Sequence, residues 1–144
     1  MPRIKMPGAM PEHRNARGYL KYILPVAALL CPAAAQSKTV SFEADVQPIL
    51  MQHCVMCHIP GAAQGDHSLY PDAWESMVNV PSVQSALLLV EPGRPTASYS
   101  YLKLTGGHLA AGGKGEVMPS PQTPLAQGEI DTIREWIKQG AEKN

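Results

Sequence analysis

The sequence has few of the residues from which small proteins build a large hydrophobic core. Its 144 residues include one phenylalanine, two tryptophans and five tyrosines, beside 14 prolines and 12 glycines. A chain of this length forms about one domain, and short helices do not persist alone in water. The apolar faces of its helices therefore need a partner beyond the chain itself.

Long apolar runs are also missing. The most apolar segment, Tyr22 to Ala35, is interrupted by two prolines, whereas a membrane-spanning helix needs roughly 20 apolar residues. Basic residues precede this segment, and Ala33-Ala34-Ala35 resembles a cleavage site. We predict that residues 1–35 are a secretory signal peptide and that residues 36–144 form a periplasmic domain of an exported bacterial protein. Stable membrane insertion is not expected after cleavage, and an uncleaved tether is the alternative.

The mature domain lacks an excess of basic charge. The whole chain is neutral, but residues 36–144 carry seven basic and eleven acidic side chains, a net charge of −4. Proteins that bind nucleic acid need a basic surface for its phosphates, so no nucleic-acid partner is predicted. An acidic surface instead favours protein partners with neutral or basic docking faces.

Cysteine is scarce as well. Of the three cysteines, Cys31 falls in the predicted signal peptide, which leaves Cys54 and Cys57. Two cysteines at this spacing form a redox pair, half of a metal site, or a pair of thioether anchors. A thioredoxin-like pair needs a βαβ setting, which the pattern does not predict, and a zinc site needs four ligands. The other histidines are too scattered to supply them.

The residue after the second cysteine favours the thioether anchors. Cys54-Val55-Met56-Cys57-His58 matches the C-x-x-C-H pattern, in which both sulfurs bond to haem vinyl groups and the imidazole binds the iron. Two intervening residues let one turn of chain place both sulfurs along one porphyrin edge. We therefore predict one covalent haem c, anchored at Cys54 and Cys57, with His58 as an axial iron ligand.

The second axial ligand has to come from another part of the chain. Met118 lies in a glycine- and proline-rich loop directly before the last helical segment. We predict it as the ligand because a loop methionine is usually not a core residue. Met51, Met56 and Met77 fall in or near helical segments, where packing or surface roles are expected.

Histidine offers an alternative. His108 lies in a glycine-rich stretch and would bind iron if that stretch folds inward, whereas His53 and His67 are expected to be solvated. Haem propionates need charge-assisted hydrogen-bond donors when they are buried. Three side chains of one segment are candidates for this role: Arg94, Tyr99 and Tyr101.

Helical periodicity places these residues on short helices. An apolar stripe beginning at Phe42 leads into the haem motif. Because Pro48 is tolerated in a first turn, Asp45 is expected to cap the main helix after a looser turn from Phe42. The last helix should end near Gly140, with Trp136 at the edge of its apolar stripe. Two further short helices are predicted, over residues 72–78 and 98–104.

Together these residues resemble the class I cytochrome c family, in particular small bacterial monohaem domains. Those domains combine an N-terminal C-x-x-C-H with a C-terminal Met-Pro loop and a helix ending Trp-Ile-x-x-Gly-Ala. The corresponding residues are Cys54 to His58, Met118-Pro119 and Trp136 to Ala141. The resemblance covers residues 41–141. It implies an all-α fold wrapped around one haem, crossing N- and C-terminal helices, and His/Met axial ligation.

The function that the resemblance implies is one-electron transfer to redox protein partners, without enzymatic activity. One alternative is a haem subunit of a larger membrane-bound or periplasmic oxidoreductase. The other is a haem peroxidase or gas-binding protein, which requires an open sixth position on the iron.

A chain that cannot attach haem should stay largely unfolded. In a Cys54→Ala/Cys57→Ala protein the apolar helix faces lose their common partner, and the thin core cannot replace it. Far-UV circular dichroism should then show little helix. Well-formed helicity in this haem-free variant would contradict the prediction.

Overall fold

The computed structural model describes Gly8 and residues 38–61, 67–119 and 123–144. The described residues from Lys38 onward belong to one compact unit, Ser37–Asn144. Apart from Gly8, the predicted signal peptide lies outside the described residues.

The described part of the chain is helical. Its extended pairing consists of isolated bridges, such as Val78 with Val90, and these residues form no strand, which is compatible with the predicted all-α class. In these residues no helix is both long and apolar enough to cross a bilayer. The helices, in chain order, are a π-helix Phe42–Val46, α1 Gln47–His53, α2 Ala73–Met77, a 3-10 helix Pro95–Ala97, α3 Tyr99–Thr105 and α4 Gln127–Lys138. The two short helices predicted in the middle of the chain are thereby confirmed.

The first helical segment begins at Phe42, where the looser turn was expected. Ser41 Oγ accepts a hydrogen bond from Ala44 N at 3.1 Å, and Ser41 N donates to Asp45 Oδ2 at 2.9 Å. Helix α1 follows directly, with Val46 as its N-cap and Pro48 in its first turn. The expected Asp45 cap of α1 is therefore wrong, because this carboxylate binds backbone at the start of the π-helix.

The π-helix packs on α4 through aromatic contact. The ring centroids of Phe42 and Trp136 lie 5.3 Å apart. Trp136 is only 1% exposed, although the periodicity placed it at the edge of the apolar stripe. Its Nε1–H donates to Glu142 O at 3.0 Å, so the buried indole has its hydrogen bond. Helix α4 ends at Lys138, and Gly140 follows with φ 111°, as predicted for the helix stop.

Residues 141–144 fasten two other elements to the end of α4. The indole of Trp74 in α2 donates to Ala141 O at 2.7 Å. At the start of the π-helix, Phe42 N donates to Asn144 Oδ1 at 2.8 Å. The core thus joins both ends of the described domain.

A matched pair of valines tests this core. Val46 is 1% exposed and Val83 is 68% exposed. We expect Val46→Ala to lower the free energy of unfolding by about 2 kcal/mol, since it removes buried methyl groups and leaves a cavity. Val83→Ala should change it by less than about 0.5 kcal/mol. Guanidinium unfolding measures both, and equal effects would contradict the assigned core.

The ion pair between Lys143 and Asp72 should affect how the free energy of unfolding changes at acid pH. The Lys143 Nζ–Asp72 Oδ2 distance is 2.7 Å, and this hydrogen bond is the main cause that lowers the pKa of the Asp72 carboxyl below 3.8. A lowered carboxyl pKa stabilises the fold above the unfolded-state pKa, and this contribution is lost as pH falls through the folded-state pKa.

Asp72→Asn keeps an oxygen that can cap α2, where Asp72 Oδ1 now accepts from Glu75 N, but removes the charge. Below about pH 4 the free energy of unfolding should therefore fall less steeply in this variant than in the wild type, by less than about 1 kcal/mol for an exposed pair. Unfolding curves between pH 3 and 6 test this. Asp131→Asn, in the exposed i,i+3 pair with Arg134, is the control. A wild-type slope in Asp72→Asn would contradict the expectation.

Candidate functional site

A cavity of about 520 Å³ lies beside α1, α3 and α4. This volume falls in the range of about 300–1,000 Å³ that is typical of cofactor pockets. Its apolar wall includes side chains that are themselves buried: Leu50, Val90, Ile133 and Ile137.

Three of the four predicted site residues line this cavity. Cys54 and His58 reach it from the end of α1 and the turn that follows, and Met118 reaches it from the loop before α4. Cys57 is exposed and is not among the lining residues. The fold thus brings the imidazole and the thioether of two distant segments to one cavity.

A hydrogen-bonded turn shapes the cysteine motif. Cys57 N and His58 N both donate to Cys54 O, at 3.1 and 3.2 Å. Cys54 and Cys57 form no disulfide with each other. Burial, with a smaller effect of the nearby Cys57, raises the pKa of the Cys54 thiol to about 11. Redox-active cysteines have a lowered pKa instead, so Cys54 does not have the environment of a reactive thiolate.

The imidazole of His58 has a fixed tautomer. Its Nδ1 lies 2.9 Å from His67 O. Because a carbonyl oxygen only accepts, Nδ1 carries the proton and Nε2 of the neutral ring keeps its lone pair. The acceptor segment is held in return, since Leu69 N donates to His58 O at 2.7 Å. Metal-binding histidines usually have such a second hydrogen bond, which orients the ring.

The expectation that His53 and His67 are solvated is wrong. His67 lines the cavity, with its ring centroid 5.6 Å from that of His58. Burial, and then the neighbouring His58, lower the pKa of His67 to about 4. His53 is half-buried, and its Nε2 lies 3.1 Å from Glu129 Oε1 in α4. The partner of His53 lies 76 residues further along the chain, which helical periodicity does not reveal.

The methionines occupy different environments. Met118 is half-buried in its loop and lines the cavity. Met51 and Met56 are 49% and 80% exposed, which leaves them on the surface. Met77 belongs to the hydrophobic core, as expected, although it also lines the cavity.

His108 does not line the cavity, although it is only 1% exposed. Its Nε2–H donates to Gly115 O at 2.8 Å, so this nitrogen has no lone pair for a metal. Within the described ranges its Nδ1 has no hydrogen-bond partner. His108 therefore contacts the loop that carries Met118 rather than the cavity.

The three predicted propionate donors are also separated by the fold. Tyr99 lines the cavity, and its hydroxyl donates to Gln84 Oε1 at 2.9 Å. Arg94 is 68% exposed and pairs with a neighbouring glutamate, and Tyr101 packs against the core. Gln84 and Lys103 line the cavity as well, but no motif in the sequence marks either residue.

No protein-family model, curated protein or solved structure matches the chain. The resemblance to class I cytochromes c therefore depends on the motif residues alone. In the part of the chain that the structure describes, no three His, Cys, Asp or Glu side chains are grouped as a metal site.

Proposed function

We propose that this protein is a periplasmic electron carrier with one covalently attached haem c. Cys54 and Cys57 are its thioether anchors, and His58 and Met118 are its axial ligands. The observation that carries the proposal is that an imidazole with a free Nε2 and a loop methionine line one largely apolar cavity, together with the first cysteine of the motif.

The cavity suits this group in chemistry as well as in volume. When bound, haem c supplies an iron that gains and loses one electron. The chain contributes apolar walls that exclude water, and an imidazole and a thioether as donors. Compared with two imidazoles, a Met/His pair raises the reduction potential.

The environments of the two cysteines support attachment. The half-buried Cys54 has a raised thiol pKa, which disfavours redox chemistry at its sulfur. A thioether does not ionise, so burying the bonded sulfur of Cys54 does not require desolvation of a charge. Cys57 is exposed, which supports an attachment edge that faces solvent, where a redox partner has access.

We extend the proposal to the fold, which would be cytochrome c-like with its first and last helices crossing beside the haem. Phe42 at the start of the first helical segment contacts Trp136 in α4. Leu50 of α1 and Ile137 of α4 both line the cavity. Both observations support the proposed crossing.

The test is to mature the protein in a bacterial periplasm and to characterise the purified product. Mass spectrometry should show one added haem mass, and a pyridine haemochrome assay should report two thioether bonds. The ferric protein should show a methionine-to-iron charge-transfer band. Met118→Ala should abolish this band, whereas Met56→Ala, at an 80% exposed methionine of the same chain, should retain it.

Each outcome decides one part of the proposal. A chain without added porphyrin mass would overturn the cytochrome function. Covalent haem with ferric and ferrous spectra that Met118→Ala leaves unchanged would overturn the Met118 assignment and favour a peroxidase or gas-binding protein. A stoichiometric partner that co-purifies with the haem protein would favour an oxidoreductase subunit over a free carrier.

A further inference from the structure

The loop that carries Met118 is fastened to α3 by one lysine. Lys103 Nζ donates to Lys114 O at 2.9 Å and to Glu116 O at 2.6 Å. In the opposite direction, Met118 N donates to Lys103 O at 2.9 Å. One residue of α3 therefore holds this loop at three points, one of which is the backbone of the methionine itself.

The carbonyl group between those of Lys114 and Glu116 accepts a hydrogen bond from a histidine. His108 Nε2–H donates to Gly115 O at 2.8 Å. Gly115 has φ 74°, a left-handed conformation that favours glycine. Three consecutive carbonyl groups of the loop thus accept hydrogen bonds from two side chains.

Burial of both donor side chains costs free energy. Lys103 is 9% exposed, and burial lowers the pKa of its ammonium group. A buried charge destabilises a protein unless polar groups compensate it. In the described residues Lys103 forms no ion pair within 4.0 Å, and its hydrogen bonds go to loop carbonyls. His108 likewise is 1% exposed, and its hydrogen bond goes to the same loop.

We propose that Lys103 and His108 form a clamp that positions the thioether of Met118 in the cavity. The clamp rests on the proposed function and deepens it. Lys103 and His108 are positioning residues, and neither binds the iron. Groups that orient a metal ligand typically change metal affinity about 10–100-fold when removed. Without the clamp the loop has fewer restraints, so an external ligand displaces the thioether more easily.

The experiment is an imidazole titration of the ferric haem protein matured in a periplasm, with the charge-transfer band of methionine as the readout. Lys103→Met keeps the length of the side chain but removes its donors. We expect its apparent affinity for imidazole to rise about 10–100-fold. His108→Phe should act in the same direction with a smaller effect, because it removes one hydrogen bond instead of two.

Two conservative variants and one control accompany this titration. Lys103→Arg and His108→Gln retain N–H donors and should move the affinity back toward that of the wild type. Lys138→Met removes a lysine of α4 that is 66% exposed and pairs with Glu135, so it should behave as the wild type does.

The outcomes separate the two proposals. A wild-type protein without covalent haem overturns the proposed function and this role with it. Wild-type haem and methionine ligation, with unchanged imidazole affinity in His108→Phe and in Lys103→Met, overturns the clamp alone. Variants that unfold at lower guanidinium concentration but bind imidazole as the wild type does also overturn it, since the side chains then serve stability only. If Lys103→Met does not fold, His108→Phe decides.

Discussion

Several residues of the hydrophobic core of this domain also line its cavity. Ile137 is 0% exposed and Ile133 4%, yet both line the cavity. Leu50 of α1 is likewise buried and also lines the cavity. Side chains that pack against one another are therefore also those that would contact a bound group. A ligand that binds only the folded chain stabilises it by mass action. Binding in this cavity would therefore also stabilise the packing of the core.

The local part of the design is readable from residue patterns. Asp72 caps α2 within a residue of the predicted start, and α3 at Tyr99–Thr105 falls one residue from its predicted span. The arrangement of Cys54 and His58 is also local, since one hydrogen-bonded turn determines it. Turns, caps and short periodic segments depend on neighbours in sequence, which is why their residues can be assigned without a fold.

Contacts made by the irregular segments decide the rest. His67 becomes the acceptor for the His58 imidazole only because its segment returns to the motif. Lys103 has the sequence context of a solvated lysine on a short helix, and only the folded loop surrounds it with carbonyl groups. Trp136 is fully buried because the residues after α4 fold back and accept its N–H. No periodicity contains this information, since each contact joins segments that have no pattern in common.

The joining of residues 141–144 to Trp74 and Phe42 has a consequence for the order of assembly. Phe42 and Asn144 are 102 residues apart in sequence, so the first helical segment is synthesised long before residues 141–144. Until those residues arrive, the π-helix lacks the Asn144 side chain that accepts its first N–H, and α2 lacks the carbonyl that holds its indole. Contacts of such large sequence separation form late in folding. The segment from Cys54 to His58 lies between these two elements in sequence, so it is synthesised before the residues that hold both of them.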